Sequence, residues 1–332
     1  MAENRAAFQR IKLRPRVLVN CAERNLGVEL FGRRLSLPLV LAPTSHQVLA
    51  HPDAEIATAR AAAAAGTLAV LGTGNHYSVE EVAAASDGAP FWFQLYCYEP
   101  FEVTARVVRR AEAAGASALV LTVDACYPPR RESLIRSGFR LTPAVRLGNL
   151  QGVGLRDDLL APNGGLTPEF VAALPLSPLT WDDVVRIREL TALPLLLKGV
   201  LTAEDALLAL ERGVDGLIVS NHGARQIDGT QAAIDALPAI ADTVGGRMPL
   251  LVDGGVRRGT DIVKALALGA RAVLIGRPYL WGLALDGEAG VRLVIEQLRA
   301  EFDNALAQLG RPSVADLGRD VVTGGPCPHC GR

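Results

Sequence analysis

The sequence predicts an α/β protein whose architecture is a (β/α)8 TIM barrel with one long insertion. Short apolar runs alternate with longer amphipathic stretches eight times. The runs are almost continuously hydrophobic, as in parallel strands that are covered on both faces. The length of 332 residues fits a single barrel domain that carries an insertion. The alternative is an open doubly wound sheet, which usually contains fewer strand-helix repeats.

The eight predicted strands are rich in Leu, Val and Ile, and each ends in small or polar residues. They cover 37–43, 67–73, 90–96, 118–124, 194–200, 216–221, 248–255 and 272–277. The stretches between them place apolar residues at helical spacing, and most of these stretches close at a glycine. We therefore predict one domain over residues 1–332.

One connection is too long for a normal βα loop. The segment 126–180, after the fourth predicted strand, is rich in Gly and Pro. At this end of a barrel, such an insertion is usually a lid or an oligomer contact. The tail 311–332 contains Cys327, His329 and Cys330, which are too few ligands for a closed zinc site, so we predict no metal site.

The bulk composition excludes several functional classes. Basic and acidic residues number 34 and 35, for a net charge of -1, so no overall field would attract nucleic acid. The charged start of the chain does not resemble a signal peptide, and no apolar run reaches transmembrane length. The five cysteines are too few for a disulfide scaffold. The sequence predicts a cytoplasmic protein that contacts neither nucleic acid nor membrane.

Reactive side chains cluster at the predicted strand ends, where barrel enzymes place their active sites. The last two ends indicate a phosphate site. Gly254 and Gly255 let the backbone approach an anion, and Gly276 with Arg277 adds amide groups and a guanidinium. A lone glycine pair would more often be a tight turn, but two adjacent glycine sites, each with an arginine, favour phosphate.

Three further strand ends indicate proton and charge chemistry. Lys198 lies within an apolar strand and is either a structural ion pair or a cation beside a cofactor that gains negative charge. His222 alone would more often be structural. Together with Arg225 and Asp124, it has the composition of a base, a carboxylate clamp and an orienting partner.

With these motifs, the chain resembles the FMN-dependent 2-hydroxy-acid oxidases and dehydrogenases, a family that includes glycolate oxidase, lactate oxidase and mandelate dehydrogenase. The segment SNHGARQ (220–226), followed by DGGVRRGTD (253–261), is the most specific part. The motifs AENRAAF, LAPTSHQ, FQLY, LTVD and LKGV support it in the same order. The resemblance runs from Ala2 to about Leu309 and lacks the helical segment that precedes AENR in the family.

The resemblance implies a set of site residues. Cofactor contacts to FMN are implied for Pro43, Thr44, Ser45, Gly72, Gln94, Tyr96, Thr122, Lys198, Ser220, Asp253, Gly254, Gly255, Val256, Arg257, Gly276 and Arg277. Substrate contacts are implied for Tyr96, Arg131, His222 and Arg225, and catalytic roles for His222, Asp124, Tyr96 and Lys198. The family further implies a homotetramer.

The implied activity is oxidation of a 2-hydroxy acid to the 2-keto acid, with His222 as the base and with oxygen or another molecule as the final acceptor. Two alternatives stay open. One is oxidation of a 2-amino acid or a carrier-bound intermediate; the other is a non-catalytic FMN-binding homologue. Type 2 isopentenyl diphosphate isomerases share the barrel and FMN but lack the histidine-arginine arrangement.

Two positions depart from the family and concern the cavity wall. Gly74 stands where short-chain oxidases have an aromatic residue, so we expect a wider pocket or a changed wall. Ser45 stands where Ala or Gly lies near the flavin. His46 and His76 also follow predicted strands, and either is a candidate substrate contact or simply a polar loop residue.

Overall fold

The computed structural model confirms the (β/α)8 barrel. It describes residues 1–127, 129, 132–141, 144–155, 157–161, 164–167, 169–170, 174 and 176–324. Eight parallel strands close into a barrel, each hydrogen-bonded to the next in chain order, and the last pairs with the first. Each predicted strand segment contains one of them.

The strands are shorter than predicted because their polar ends leave the ladder to form the catalytic face. The barrel strands are β4 (Leu39–Leu41), β5 (Ala69–Gly72), β6 (Phe91–Leu95), β7 (Leu119–Thr122), β8 (Leu195–Val200), β9 (Gly216–Val219), β10 (Leu250–Asp253) and β11 (Ala272–Ile275). Outside the barrel, β1 (Lys12–Leu13) pairs with β12 (Val322–Thr323), and β2 (Val28–Leu30) with β3 (Arg33–Leu35).

Helices cover the outside of the barrel. They are α1 (Ala2–Arg10), α2 (Ala54–Ala64), α3 (Val79–Ala85), α4 (Phe101–Ala113), α5 (Glu132–Ser137), α6 (Trp181–Leu190), α7 (Ala203–Glu211), α8 (Ala233–Val244), α9 (Gly259–Ala267) and α10 (Arg277–Leu309). Helix α10 is kinked, because Asp286 and Gly287 have non-helical backbone angles. No helix within the described part of the chain is long and apolar enough to cross a membrane.

Two apolar layers hold the barrel together. Side chains that point inward fill its interior, among them Trp92, Leu196 and Leu251, and the β2–β3 hairpin adds Leu30 and Leu35 to this cluster. Side chains that point outward pack against the helices and form the larger cluster. Because both faces of each strand are buried, the strand sequences are almost uninterrupted hydrophobic runs.

The described part of the 126–180 insertion is anchored on the β5–α3 loop and on α4. The Gly148 amide donates to the Asn75 carbonyl at 3.1 Å. The Asn149 side chain donates to the Gly72 carbonyl at 2.9 Å and accepts from the Val79 amide at 2.7 Å. Arg110 on α4 donates to backbone carbonyls of the insertion. These contacts hold the middle of the insertion against the β5–α3 loop and α4, and its function as a lid stays a prediction.

Candidate active site

A cavity opens at the carboxyl ends of the barrel strands and gathers most of the residues that the sequence singled out. Its lining includes Pro43, Thr44, Ser45, Gln94, Tyr96, Thr122, Lys198, His222, Arg225, Asp253, Gly254, Gly255, Val256, Arg257, Gly276 and Arg277. These residues come from the ends of seven different strands, which is the usual arrangement of an active site in this fold.

His222 and Asp124 form a hydrogen-bonded pair at the cavity. His222 Nδ1 lies 2.8 Å from Asp124 Oδ1, and both side chains are partly buried. His222 follows β9 with a left-handed φ of 56°, and its amide donates to Ser220 Oγ at 2.9 Å. Because the carboxylate fixes one ring nitrogen, the other, Nε2, is left to exchange protons with a substrate.

Lys198 is a buried cation held by a carboxylate on the next strand but one. Its Nζ lies 3.2 Å from Asp253 Oδ2 and 3.1 Å from Ser220 Oγ. Burial alone lowers the pKa of Lys198, but the charges of Asp253 and Asp124 outweigh it and raise the pKa above its usual value. Lys198 is therefore an ammonium ion at the cavity wall. A structural ion pair and a cation beside the cofactor, the two alternatives for this residue, are compatible with each other.

The ends of β10 and β11 concentrate positive charge around unpaired backbone amides. Burial lowers the pKa of Arg257, and the charges of Arg277 and Arg5 lower it further. The pKa of Arg277 is also lowered, first by burial and then by Arg225. Within the described residues, the amides of Gly254 and Gly255 have no hydrogen-bond acceptor. Crowded cations beside free amides form an anion site.

Arg225 and Tyr96 also line the cavity. Arg225 is exposed and makes no ion pair or side-chain hydrogen bond within the described part of the chain, which leaves its guanidinium free for a carboxylate. Tyr96 lines the cavity and is anchored through its amide, which donates to Thr73 Oγ1 at 3.0 Å. Arg131, the second predicted carboxylate ligand, lies outside the described residues, as does the 325–332 part of the tail.

Buried hydrogen bonds fix the polar floor of the cavity. Gln94 Nε2 donates to Thr122 Oγ1 at 3.0 Å. Thr44 Oγ1 is hydrogen-bonded to the hydroxyl of Tyr279, which also donates to the Ala42 carbonyl at 2.8 Å. Tyr279 is fully buried, and burial raises its pKa, so it acts as a neutral anchor for the loop after β4.

Two predicted cofactor contacts are not among the residues that line the cavity. Ser220 contacts it through Lys198 and His222 instead. The amide of Gly72 donates to Asn75 Oδ1 at 3.0 Å, and its carbonyl accepts from Asn149. The direct FMN contact of Gly72 stays a prediction, and this geometry does not favour it. The Asp253 side chain faces Lys198, so its carboxylate is not positioned as a phosphate ligand.

The two candidate loop histidines have different positions. His46 lines the cavity, and its buried Nδ1 has no hydrogen-bond partner among the described residues. His76 is not among the lining residues; its Nδ1 accepts from the Arg146 amide at 3.2 Å, which ties the insertion to the barrel. Of the two alternatives for His76, this geometry favours the polar loop residue, because the ring is buried in a structural contact.

The expectation of a wider pocket or a changed wall at Gly74 stays a prediction, and the neighbour that decides it is Ser45. Gly74 is buried, and a Cβ added there would lie 2.5 Å from Ser45 Oγ and 3.0 Å from Ser45 Cβ. Ser45 is the residue that faces the cavity. The space that a larger side chain at position 74 would enter first is therefore occupied by Ser45. The two departures from the family, Gly74 and Ser45, contact each other and constrain each other's size.

Two residues that position the site were missed from the sequence. Asn4 on α1 is hydrogen-bonded to Asn221, the neighbour of His222. Glu55 is fully buried on α2 and accepts from the amides of Gln47 and His76, which joins the loops after β4 and β5. For Asn4 the available signal was its place in the AENRAAF motif, which carried the resemblance without an assigned role; Glu55 lies in HPDAE (51–55), a further segment that matches the family.

No group of three or more His, Cys, Asp or Glu side chains that could hold a metal ion is found where the structure describes the chain. The polar groups at the cavity are instead two imidazoles, one buried ammonium paired with a carboxylate, several guanidinium groups, and hydroxyl or amide side chains. This donor set suits an anionic organic ligand rather than a bare cation.

Comparisons with known proteins agree with this site. The family model of FMN-dependent dehydrogenases matches residues 1–324. Spinach (Spinacia oleracea) glycolate oxidase is 47% identical over 322 residues, which cover 97% of this chain and 87% of that protein. L-lactate oxidase of Nostoc sp. is 49% identical over 324 residues and covers 96% and 88%.

Solved structures give the same result. The structure of mandelate oxidase with (S)-2-phenylpropionate superposes with a TM-score of 0.88 at 39% identity, covering 98% of this chain and 90% of the other. Mandelate oxidase with benzoyl-formic acid gives the same TM-score, identity and coverage. The barrel, including its strand order, is therefore shared with these enzymes.

The cavity fits the cofactor of this family. The arginines and free amides after β10 and β11 supply an anion site, and the Gln94–Thr122 floor supplies neutral hydrogen-bonding groups. Lys198 lies beside them as a buried ammonium. The chain belongs to the FMN-dependent dehydrogenase family, and it is an oxidoreductase whose cofactor is FMN.

Proposed function

We propose that this enzyme oxidises a 2-hydroxy acid to the corresponding 2-keto acid, with His222 as the base. The observation that carries the proposal is the His222–Asp124 hydrogen bond of 2.8 Å in the same cavity as the unpaired guanidinium of Arg225. A 2-hydroxy acid needs both groups, one for its proton and one for its carboxylate. The relatives named glycolate, L-lactate and mandelate oxidase support this substrate class.

Each side chain has a role that follows from its chemistry. Arg225 binds the substrate carboxylate, because a guanidinium forms two parallel hydrogen bonds with it. Arg131 is proposed as a second carboxylate ligand. The Tyr96 hydroxyl donates a hydrogen bond to the substrate oxygen that becomes the ketone. These contacts orient the hydroxyl-bearing carbon toward the base.

The proton transfer uses the His222–Asp124 pair. His222 Nε2 accepts a proton from the substrate as its hydroxyl-bearing carbon is oxidised, and the ring becomes an imidazolium. Asp124 stabilises that cation through its hydrogen bond to Nδ1 and keeps the ring in one orientation. When bound, FMN supplies the two-electron oxidation that the protein side chains cannot perform. Lys198 contributes a fixed positive charge that stabilises negative charge developing nearby.

The alternatives predict different chemistry at the same site. A 2-amino acid would present an ammonium group to His222, so turnover would require that this group first lose its proton. A carrier-bound intermediate has an ester or amide in place of the free carboxylate and would leave Arg225 without its anionic partner. A non-catalytic flavin protein would not need the His222–Asp124 geometry. The unpaired Arg225 favours a free carboxylate.

The decisive experiment is anaerobic mixing of the purified protein with a panel of 2-hydroxy acids while flavin absorbance is recorded. We expect bleaching with at least one 2-hydroxy acid and none with the matching 2-amino acid. His222→Ala should keep FMN but reduce the rate by several orders of magnitude, as removal of an essential base does. No bleaching with any 2-hydroxy acid, or near-normal reduction in His222→Ala, would overturn the proposal.

Arg225→Lys tests the carboxylate contact separately. Lysine keeps the charge but lacks the planar fork, so we expect a higher KM with a smaller change in kcat. A matched control is Arg212→Lys, a partly exposed arginine at the end of α7 that is not among the residues lining the cavity. An unchanged KM in Arg225→Lys would contradict the assigned role.

We also propose oxygen as the electron acceptor, a homotetrameric assembly and a cytoplasmic location. The oxidase names of the relatives support oxygen. Trp281 and Leu285, which are 71% and 86% exposed on α10, support an interface between subunits. The free Cys21, Cys97 and Cys126 are consistent with a reducing compartment. Release of hydrogen peroxide during turnover tests oxygen as the acceptor. Light scattering tests the homotetramer, and microscopy of the tagged protein tests the cytoplasmic location.

A further inference from the structure

Strand β8 is irregular at Gly199, directly after Lys198. Lys198 pairs with Ile218 and Val200 pairs with Val219, so the register with β9 shifts between them and Gly199 is the extra residue. Its φ is +119°, a conformation that residues with side chains rarely adopt. Such bulges occur beside active sites, where they redirect the backbone and its side chains.

The bulge brings Gly199 against the carboxylate that orients the base. A Cβ at Gly199 would lie 2.6 Å from Cβ and from Cγ of Asp124, and 2.9 Å from its Oδ2. Carbon atoms in contact are normally about 3.5–4.0 Å apart, so the two groups cannot occupy these positions together. Asp124 Oδ2 is buried and has no hydrogen-bond partner in the described part of the chain. Packing against Gly199, rather than a hydrogen bond, therefore limits where this oxygen lies.

The other oxygen of the same carboxylate makes the 2.8 Å contact with His222 Nδ1. A side chain at position 199 would displace the carboxylate from this contact, and the imidazole ring would lose its orientation. We propose that Gly199 is a positioning residue for the reaction, because its missing side chain provides the space in which Asp124 meets His222. The inference rests on the proposed function and adds to it a residue that touches neither substrate nor base.

Gly199→Ala tests the proposal, and the chain offers a closely matched control. Gly269 has a φ of +111°, and a Cβ there would lie 2.6 Å from the Ala241 Cβ. Gly269 follows α9 and precedes β11, so it lies at the barrel end opposite to the cavity. Both substitutions add one methyl group at a similar positive φ, with a closest contact of 2.6 Å in each case, but only one of them meets Asp124.

We expect both variants to lose a similar amount of melting temperature, whereas only Gly199→Ala slows anaerobic flavin reduction at saturating substrate. The loss should be roughly 10- to 100-fold, as for a misplacement of about 1 Å at a reacting group. KM should change little, because Arg225 is untouched. Equal reduction rates in the two variants would overturn the proposal.

If the proposal is right, Gly199→Ala slows flavin reduction by displacing Asp124. In an Asp124→Ala background, adding Gly199→Ala should slow reduction by less than about threefold, because the group through which Gly199 acts is already gone. A further loss as large as in the wild-type background would mean that Gly199 acts by another route, and the assignment would be wrong.

A last variant covers the case in which Gly199→Ala does not fold. Asp124→Gly removes both carbon atoms that the new methyl group would meet. Asp124→Gly/Gly199→Ala should therefore bind FMN and melt within a few degrees of Gly269→Ala. No recovery would overturn the steric basis of the proposal. This comparison needs no substrate, so its outcome is independent of whether the proposed 2-hydroxy-acid activity is right.

Discussion

Asn4 and Asn221 exchange two side-chain hydrogen bonds, of 2.8 and 2.7 Å, across 217 residues of sequence. Asn221 also accepts from the Ala224 amide at 3.0 Å, so the bond network continues into the loop that carries His222. The same Asn4 lies under the phosphate-site turn, because a Cβ at Gly255 would be 2.1 Å from the Asn4 carbonyl oxygen. Helix α1 therefore supports both the base and the anion site.

Asn4→Ala should consequently affect stability and catalysis together. The substitution removes two of the four hydrogen bonds of the buried Asn221 amide, and each lost bond typically costs about 0.5–1.5 kcal/mol. We expect a lower free energy of unfolding and slower flavin reduction. Urea unfolding and rapid-mixing spectroscopy measure the two effects. Gln9→Ala, an exposed position on the same helix, is the control. Loss of stability in both variants alike would contradict a specific role for Asn4.

The Lys198–Asp253 pair predicts an asymmetric response to mutation. Both side chains are nearly inaccessible, with 5% and 10% exposure, so removing one partner leaves an uncompensated buried charge. Such a loss typically costs about 3–5 kcal/mol. We expect Lys198→Met to lower the free energy of unfolding of the apoprotein strongly, and Lys198→Met/Asp253→Asn to recover part of it. If the double variant is less stable than the single one, the pair does not behave as a buried ion pair.

The residues of the anion site predict which flavin the protein binds. The lining contains one cluster of arginines with free amides, after β10 and β11. We expect denatured holoprotein to release FMN rather than FAD, as mass spectrometry would show. Arg257→Gln should weaken FMN binding in titrations, because it removes one cation from the cluster. Release of FAD, or unchanged affinity in Arg257→Gln, would contradict this assignment.

Much of the fold was predictable because strands that are buried on both faces have almost uninterrupted hydrophobic sequences. The runs containing Leu39–Leu41 and Leu195–Val200 are hydrophobic without interruption, and both are strands of the barrel. The strand ends were placed too far along, since Pro43 and Asp124 follow the ladders as loop residues. Polar residues after a strand look the same in sequence whether the ladder has ended or not.

The composition of the site was predictable and its contacts were only partly so. Residue type and position at strand ends indicated that His222 and Asp124 act together, and the two side chains lie 2.8 Å apart. Lys198 lies on the wall of the same cavity. The Asn4–Asn221 contact was not predictable, because it joins residues that no periodicity relates. The contact of His76 was not predictable for a similar reason. Its partner Arg146 belongs to the insertion, whose path has no repeating pattern.

His76 predicts a loss of stability in mild acid. Burial lowers its pKa and the charge of Arg146 lowers it further, so the folded state binds fewer protons than the unfolded state. With an unfolded pKa of about 6.5, the contribution is complete above that pH and is lost as pH falls below it. Protonation also removes the Nδ1 acceptor of the Arg146 amide, so the insertion should loosen at the same time.

Melting temperatures between pH 8 and pH 5 test this dependence. We expect the wild type to lose roughly 2 °C more than His76→Asn over this range, because asparagine accepts the same hydrogen bond without titrating. His51→Asn, a partly exposed position on the neighbouring loop, should follow the wild type. Parallel curves for wild type and His76→Asn would contradict the prediction.

The last prediction concerns the contact between Gly74 and Ser45. A Cβ at position 74 would lie 2.5 Å from Ser45 Oγ, so Gly74→Trp alone must displace Ser45 before the indole reaches the cavity. Overpacking of this kind usually costs about 1–3 kcal/mol. We expect Gly74→Trp to lower the melting temperature and kcat/KM for every acid.

The double variant Ser45→Gly/Gly74→Trp removes both overlapping atoms, so it should regain stability and narrow the cavity, favouring glycolate over mandelate. Ser45→Gly alone is the control for loss of the hydroxyl. Competition assays with the two acids measure the ratio. If Gly74→Trp alone is as stable as the wild type, or if the double variant leaves the ratio unchanged, residue 74 does not act on the cavity through Ser45.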